Sequence, residues 1–266
     1  MRRRVGILGG MGPEATVLLM QKVIAATAAA DDADHIPLLV DQNPQVPSRI
    51  ARLIEGKGAD PGPVLVEMAE RLVAAGAEAL AMPCNTAHHF APQIASAVEV
   101  PFLDMVALSV AKARERAGAG GKVGILASPA IRRVGLFDAA LAQAGLEAVY
   151  PDDEAALLAA IRQIKAEGPV ALARTTLASA SACVLAAGAQ VQLIACTEFS
   201  LISSALPEDV RPIDTLDRLV AEIIRFSTGH SRQTPTRPAI GTAAHRSGAV
   251  SPKNKSDQQG KEITPC

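Results

Sequence analysis

The sequence predicts an α/β fold: two similar parallel-sheet α/β domains related by a pseudo-two-fold axis, with a site in the cleft between them. Three observations carry that prediction. Arg4-Val5-Gly6-Ile7-Leu8-Gly9-Gly10 recurs in type and order as Lys122-Val123-Gly124-Ile125-Leu126-Ala127-Ser128. An apolar run twice delivers a cysteine, in Ala79-Leu80-Ala81-Met82-Pro83-Cys84-Asn85-Thr86 and in Gln192-Leu193-Ile194-Ala195-Cys196-Thr197-Glu198. The apolar residues make up 49% of the chain and are nearly all aliphatic, with no Trp, one Tyr and five Phe. Such a core suits helices packed on parallel strands.

Each element follows from local chemistry. Val5-Gly6-Ile7-Leu8 reads as a buried strand and Gly9-Gly10-Met11-Gly12-Pro13 as a tight turn. A helix is expected over 14–30, with Pro13 in its first turn and Glu14 near its positive end. A second strand over 36–40 leads into a polar loop, 41–49, in which Pro44 and Pro47 forbid regular structure. Residues 55–63 form a Gly/Pro-rich connection, and 64–75 an amphipathic helix with Gly76 at its C-cap. The Cys84 strand, a helix through 97 and a short strand over 101–104 follow. The second half then repeats the plan. Ala187-Gly188-Ala189 matches Ala75-Gly76-Ala77, and Arg211-Pro212-Ile213-Asp214 echoes Val100-Pro101-Phe102-Leu103-Asp104. Alternating strands and helices signify a parallel sheet covered on both faces. A last helix over 216–226 is expected to pack back on the first half. The domains are therefore read as 1–105 plus 213–227, and 106–212. From 228 to 266 Ser, Thr, Pro, Gly, Lys and Gln dominate, and a disordered tail is expected, because such a segment buries too little to offset its ordering entropy.

Composition excludes several function classes. A net charge of −1 leaves no electrostatic footprint for nucleic acid. No apolar run reaches bilayer length, and Met1-Arg2-Arg3-Arg4 precedes only a short strand rather than a signal-peptide core, so a cytoplasmic location without membrane attachment is expected. Cys84, Cys183, Cys196 and Cys266 form no C-x-x-C pair and no zinc-type spacing. Reduced thiols are expected, with no metal. Cys183 reads as a small buried apolar residue and Cys266 as the inert end of the tail.

The chemistry resides in the matched cysteines. A cysteine where a strand gives way to a helix meets unpaired N–H groups and the positive end of the helix dipole, and both favour the thiolate. Two such thiols facing each other across a cleft suit two-base proton exchange. One thiolate removes a proton from carbon while the opposing thiol protonates the other face, inverting a stereocentre. Acid and base of one kind serve both directions equally. Donors must await the developing charge on the carboxylate, and Asn85, Thr86 and Thr197 are suitably placed in sequence.

Gly6-Ile7-Leu8-Gly9-Gly10-Met11-Gly12-Pro13-Glu14-Ala15-Thr16, Asn43-Pro44-Gln45-Val46-Pro47-Ser48-Arg49, Met82-Pro83-Cys84-Asn85-Thr86-Ala87-His88 and Cys196-Thr197-Glu198 together resemble the aspartate/glutamate racemase family, and within it the aspartate racemases. The resemblance covers residues 4 to about 226. It implies a racemase of acidic amino acids that needs no PLP or other cofactor, is built from two α/β domains and is often a homodimer. It implies Cys84 and Cys196 as the acid/base pair, and Asn85, Thr86, Thr197 and Glu198 as groups holding the α-carboxylate and ammonium. Arg49 and Lys165 match the residues associated with the side-chain carboxylate. Met11, in the glycine-rich turn, and Ser128, which keeps a hydroxyl in the equivalent turn, complete the implied substrate site. Ala127-Ser128-Pro129-Ala130-Ile131 replaces the usual Ala-Thr and Gly-Thr turn, and Ala195 replaces a usual glycine. Both changes lie beside the expected cleft and bear on substrate preference.

Other readings stay open at this level. The glycine-rich turn follows a strand and opens a helix, yet lacks the G-x-G-x-x-G spacing of a dinucleotide site. His88 is either a proton relay or tuner of Cys84 or a packing residue, and His89 reads as a helix-surface residue. Arg132-Arg133 reads as a solvated face. A dicarboxylate decarboxylase or cis–trans isomerase of the same fold, and a non-catalytic binder of carboxylates or nucleotides, are the rival functions.

Overall fold

The computed structural model describes residues 2–229. β1 (Val5–Gly9) is followed by α1 (Pro13–Ala26), β2 (Leu38–Gln42), the short α2 (Arg49–Leu53), α3 (Pro61–Ala74), β3 (Ala79–Ala81), α4 (Ala91–Ala97) and β4 (Phe102–Leu103). α5 (Met105–Ala117) crosses to β5 (Lys122–Leu126), then come α6 (Pro129–Arg133), α7 (Leu136–Gln143), β6 (Glu147–Val149), α8 (Glu154–Glu167) and α9 (Ala171–Ala186). β7 (Val191–Ile194), α10 (Thr197–Ser200), β8 (Ile213–Asp214) and α11 (Thr215–Thr228) complete the described residues. The strands form two four-stranded parallel sheets, ordered β2-β1-β3-β4 and β6-β5-β7-β8. The order is the same in both, so the sequence repeat is a repeat of topology.

Successive residues of a strand face opposite sides of its sheet, and both sides are covered. Val5 and Ile7 of β1 pack with Leu19 and Val23 of α1 and with Leu216, Leu219, Val220 and Ile223 of α11. Leu8 packs on the other side with Leu65, Met68 and Leu72 of α3 and Ile94 of α4. In the second sheet, Val123 and Ile125 face Val110 of α5 and Phe137 and Leu141 of α7. Leu126 and Ile194 face Ile161 of α8 and Leu177 and Val184 of α9. The last helix thus packs on the first half, as its sequence led one to expect.

The repeated glycines answer to close packing. A Cβ on Gly6 would lie 2.8 Å from Leu80 Cδ2 and 2.9 Å from Ala77 Cβ, and one on Gly124 would lie 2.6 Å from Val184 Cγ2. Each glycine lets a helix and the turn after it close on the middle of the sheet. Gly10 has φ +91° and an added Cβ there would meet the Asn43 backbone at 2.4 Å, so the turn after β1 needs glycine for both conformation and space.

Several boundaries differ from expectation for identifiable reasons. The 41–49 loop is not wholly irregular: Asp41 and Gln42 extend β2, and Ser48 caps a helix, its Oγ accepting from Ala51 N at 3.2 Å. α3 begins earlier than expected because Asp60 caps it, accepting from Gly62 N at 2.9 Å, with Pro61 at the first position where its missing N–H costs nothing. α1 ends at Ala26, where the Thr27 hydroxyl donates back to Val23 O at 2.6 Å and the residues beyond are exposed. Cys183 is half-buried rather than core. It lies off the buried stripe of α9, 3.8 Å from Asp152 Oδ2. The expected tail and Cys266 lie outside the described residues, apart from Thr228 and Gly229, which close α11. Among the described residues no helix is long and apolar enough to cross a membrane.

Gly6→Ala and Gly124→Ala should each destabilise the protein by about 1–3 kcal/mol, the typical cost of overpacking a core. Urea unfolding of the two variants, followed by circular dichroism, measures it.

Candidate active site

Both cysteines lie just past the carboxyl end of the third strand of their sheet. In each sheet the chain reverses its lateral direction between the first and third strands, and the crevice left there is where open α/β sheets bind ligands. β1 ends in the Gly9–Gly12 turn and β3 in Cys84. β5 ends in Ser128 and β7 in Cys196, which takes the N-cap position of α10. Both thiols are free and only 7% exposed.

Cys196 has a carboxylate for its neighbour. Its Sγ–H donates to Glu198 Oε2 at 3.0 Å, and Glu198 Oε1 lies 2.6 Å from Lys165 Nζ. That second contact is a short ion pair between ammonium and carboxylate. Burial pushes the Cys196 thiol well above its ordinary range, and the charge and hydrogen bond of Glu198 push it further, against the pull of Lys165. The expectation of a lowered pKa is therefore corrected for Cys196: desolvation and a carboxylate outweigh the helix terminus. Burial works against the Lys165 ammonium, yet Glu198, and after it both Cys84 and Cys196, raise its pKa. One lysine thus senses both thiols.

The Lys165–Glu198 pair borders a cavity of about 580 Å³, lined also by Gly10, Gly12, Val46 and Arg49. Arg49 is aimed by its own loop, with Nη1 donating to the carbonyls of Val46 at 3.0 Å and Pro47 at 2.9 Å. A Cβ on Gly12 would stand 3.5 Å from Glu198 Oε1 and 3.7 Å from Lys165 Nζ, so the first half's turn directly abuts the second half's ion pair. Neither cysteine is among the lining residues, and Cys84 belongs to one apolar cluster with Met11 and the lining residue Val46. Arg49, Lys165 and Glu198, far apart in sequence, are brought together here.

The remaining predicted residues fall into several settings. Met11 is a core residue, 2% exposed. Thr197 is buried at the start of α10, and Thr86 is half-buried at the start of a 3₁₀ turn, Thr86–Phe90. Ser128 caps α6, its Oγ accepting from Ala130 N at 3.3 Å, and does not line the cavity. The glycine-rich turn does not present all its N–H groups outward either, since Gly10 N donates to Thr16 Oγ1 at 2.9 Å. Arg132 and Arg133 are exposed, as read, though Arg132 pairs with Glu154 and Arg133 reaches Ile54 O just after α2.

His88 is a clamp. Its Nδ1 lies 2.8 Å from Cys84 O and its Nε2 accepts from Met105 N at 3.2 Å, so the proton sits on Nδ1 and the ring is neutral. Burial holds its pKa down, against Asp104 and the Cys84 carbonyl. Both nitrogens are occupied by main chain, which favours the packing reading over the relay. His89 is exposed and edge-on to Phe90.

The sequence reading missed Asp214 and Thr215. Thr215 Oγ1 donates to Ile194 O at 2.9 Å and accepts from Asn85 Nδ2 at 2.9 Å. Asp214 Oδ1 accepts from Ser200 Oγ at 2.8 Å and Leu216 N at 2.9 Å, and burial raises its carboxyl to about 6. The echo of Asp104 in Asp214 was visible, and both cap a helix. The bond to Asn85 spans 130 positions and left no local signal. Among the described residues no group of three or more His, Cys, Asp or Glu is placed to hold a metal ion.

The chain has counterparts among known proteins. A model of the Asp/Glu/Hydantoin racemase family matches residues 8–223. The broad specificity amino-acid racemase RacX of Bacillus subtilis is 32% identical over 106 residues, which cover 38% of this chain and 45% of RacX, less than half the length of that relative. The structure of an aspartate racemase from Picrophilus torridus matches at 26% identity with a TM-score of 0.75, over 85% of this chain and 94% of the other. An aspartate racemase homologue from Pyrococcus horikoshii shares the fold at 22% identity, with a TM-score of 0.65 over 86% of this chain and 100% of that one.

Two outcomes are expected from the electrostatics. Glu198→Gln removes the charge that helps raise the Cys196 thiol, though its amide oxygen still accepts, and frees Lys165 to favour the thiolate. Peptide mass spectrometry should find Cys196 alkylated several-fold faster by iodoacetamide near neutral pH, about tenfold for each unit the pKa falls. Asp214 has a folded pKa of about 6 against 3.8 unfolded. Its carboxyl favours the fold most when protonated, below the unfolded value, and that advantage is lost as pH rises through 6. Asp214→Asn should therefore gain about 1–3 kcal/mol over wild type at pH 8, with the gain shrinking below pH 6 in urea unfolding.

Proposed function

The chain belongs to the Asp/Glu/Hydantoin racemase family and is an isomerase of the racemase class, and on that premise we propose that it interconverts the enantiomers of an acidic amino acid, aspartate first and glutamate second, with Cys84 and Cys196 as opposed bases. The observation that carries this reading is the placing of one cysteine at the equivalent strand end of each sheet, with Lys165 paired to the carboxylate that accepts from Cys196. No PLP is invoked, because the thiol pair supplies both proton transfers.

The chemistry follows from the charge states. The raised pKa of Cys196 keeps it a thiol, so in one direction Cys84 is the base. A Cys84 thiolate takes the α-proton, and the electrons of that C–H bond pass into the α-carboxylate as an enolate-like system. The Cys196 thiol then gives its proton to the opposite face of the α-carbon. The product leaves with inverted configuration, Cys84 is now the thiol, and the negative charge has moved to Cys196. The reverse reaction swaps the roles, and Lys165, which acts on both sulfurs, stabilises either distribution.

Substrate recognition has matching support. Asn85 Oδ1 is a buried acceptor without a hydrogen-bond donor, and a substrate ammonium supplies one. Arg49 and Lys165 bring two cations to one cavity, which suits a second carboxylate on the substrate. The hydroxyls of Thr86 and Thr197 stand beside the two cysteines for the α-carboxylate. Competition between the substrate's distal carboxylate and Glu198 for Lys165 sets the affinity.

The test is incubation with L-aspartate in D₂O without added PLP, following loss of the α-proton by NMR and D-aspartate by chiral chromatography. Wild type should exchange and invert, while Cys84→Ala and Cys196→Ala should each abolish racemisation. Arg49→Ala and Lys165→Ala should raise the KM for aspartate by about tenfold or more, the loss of one charge-assisted hydrogen bond. Absence of exchange with both aspartate and glutamate would overturn the proposal.

A further inference from the structure

One buried hydroxyl ties the segment after Cys84 to the strand that ends in Cys196, and no step of the reaction uses it. Thr215 is wholly buried and opens α11. Its Oγ1 lies 2.9 Å from Ile194 O, the last residue of β7, and 2.9 Å from Asn85 Nδ2, the residue directly after Cys84. We propose that Thr215 is a positioning residue for racemisation, holding the Asn85 side chain beside Cys84 in register with the strand end that carries Cys196. The proposal rests on the two-thiol reading above.

The direction of the chain follows from what each group is able to do. A carbonyl oxygen only accepts, so the single hydroxyl proton of Thr215 is committed to Ile194. The hydroxyl oxygen must then accept from Asn85, which turns the NH₂ of that amide toward Thr215. Asn85 Oδ1 is left as a buried acceptor with no donor. The amide is thus locked with its acceptor facing away from Thr215, an orientation that would be arbitrary without the hydroxyl.

Thr215 is itself held from two sides. Asp214, immediately before it, pairs with Ile194 in the β7–β8 register and accepts from Ser200 Oγ at the end of α10. The Cys196 segment is therefore gripped both before and after the cysteine by the two residues that open α11. Threonine adds a χ1 restricted by its β-branch, so the hydroxyl has little freedom to turn away. All these groups are buried, where no water competes for the bonds and each keeps its full orienting effect.

Two-base inversion is sensitive to such a tether because both sulfurs must be aligned with one carbon at once. If only one is aligned, a proton is still removed and returned to the same face, and the α-position exchanges without inverting. The ratio of exchange with retention to inversion reads this alignment. Because it is a ratio, it does not depend on the fraction of protein that is folded.

In D₂O with L-aspartate, Thr215→Val, which keeps the shape and removes both hydrogen bonds, should lower kcat/KM for racemisation about tenfold and raise the ratio of deuterated L- to deuterated D-aspartate at early times at least threefold. Thr215→Ser, which restores the hydroxyl, should return both to within about twofold of wild type. If the valine variant does not fold, Thr215→Cys, of similar size and only a weak hydrogen-bonding group, is read on the same ratio. An active wild type with an unchanged ratio in the valine or cysteine variant, or a serine variant as impaired as valine, overturns the positioning role alone. A wild type that neither exchanges nor inverts aspartate or glutamate overturns the two-thiol reading and the positioning role with it.

Discussion

Strand order is the constraint on which this molecule depends. In each sheet the first strand of the half lies between the second and the third, so the connections from the adjacent first and third strands leave their carboxyl ends to opposite sides and open a crevice there. Right-handed crossovers then require helices on both faces, and those helices close tightly only where Gly6 and Gly124 omit a side chain. The same order in both halves puts a turn and a cysteine beside each crevice. The equivalent placing of Cys84 and Cys196 is thus a property of the topology before it is a property of either residue.

On that frame, electrostatics distinguishes two cysteines that look alike in sequence. Cys196 donates to Glu198 and is kept protonated by burial and by that carboxylate. The cluster around Cys84 is apolar, with Met11 and Val46 as neighbours, and His88 grips its carbonyl rather than its sulfur. Lys165 joins the two environments. Under the proposed reaction, Cys196 would be the sulfur that starts as the proton donor. Glu198 adds a further contact, since it also pairs with that lysine.

The legibility of the site varied with the range of its interactions. Arg49 was readable because Pro44 and Pro47 mark a stiff polar loop, and the structure shows that loop bonding the guanidinium through its own carbonyls. Glu198 was readable as a neighbour of Cys196, but its bond to that thiol and its pairing with Lys165 were not. Ser128 kept the expected hydroxyl yet spends it on capping α6, a local use that a following Pro129 already suggested. Helix starts at Arg49 and Pro61 were misplaced because Ser48 and Asp60 cap within stretches whose prolines suggested loop.

By itself the sequence determined the alternation of strands and helices, the duplication and the placing of a cysteine after each third strand. These follow from hydrophobic period, glycine spacing and repeated local motifs, all of which act over a few residues. Only the tertiary structure decided that Lys165 meets Glu198, that His88 is a neutral clamp, and that Thr215 bridges Asn85 to Ile194. Those choices depend on which polar groups are buried together. Burial removes water as a partner and forces each donor to find an acceptor from another part of the chain, and no local pattern encodes which one it finds.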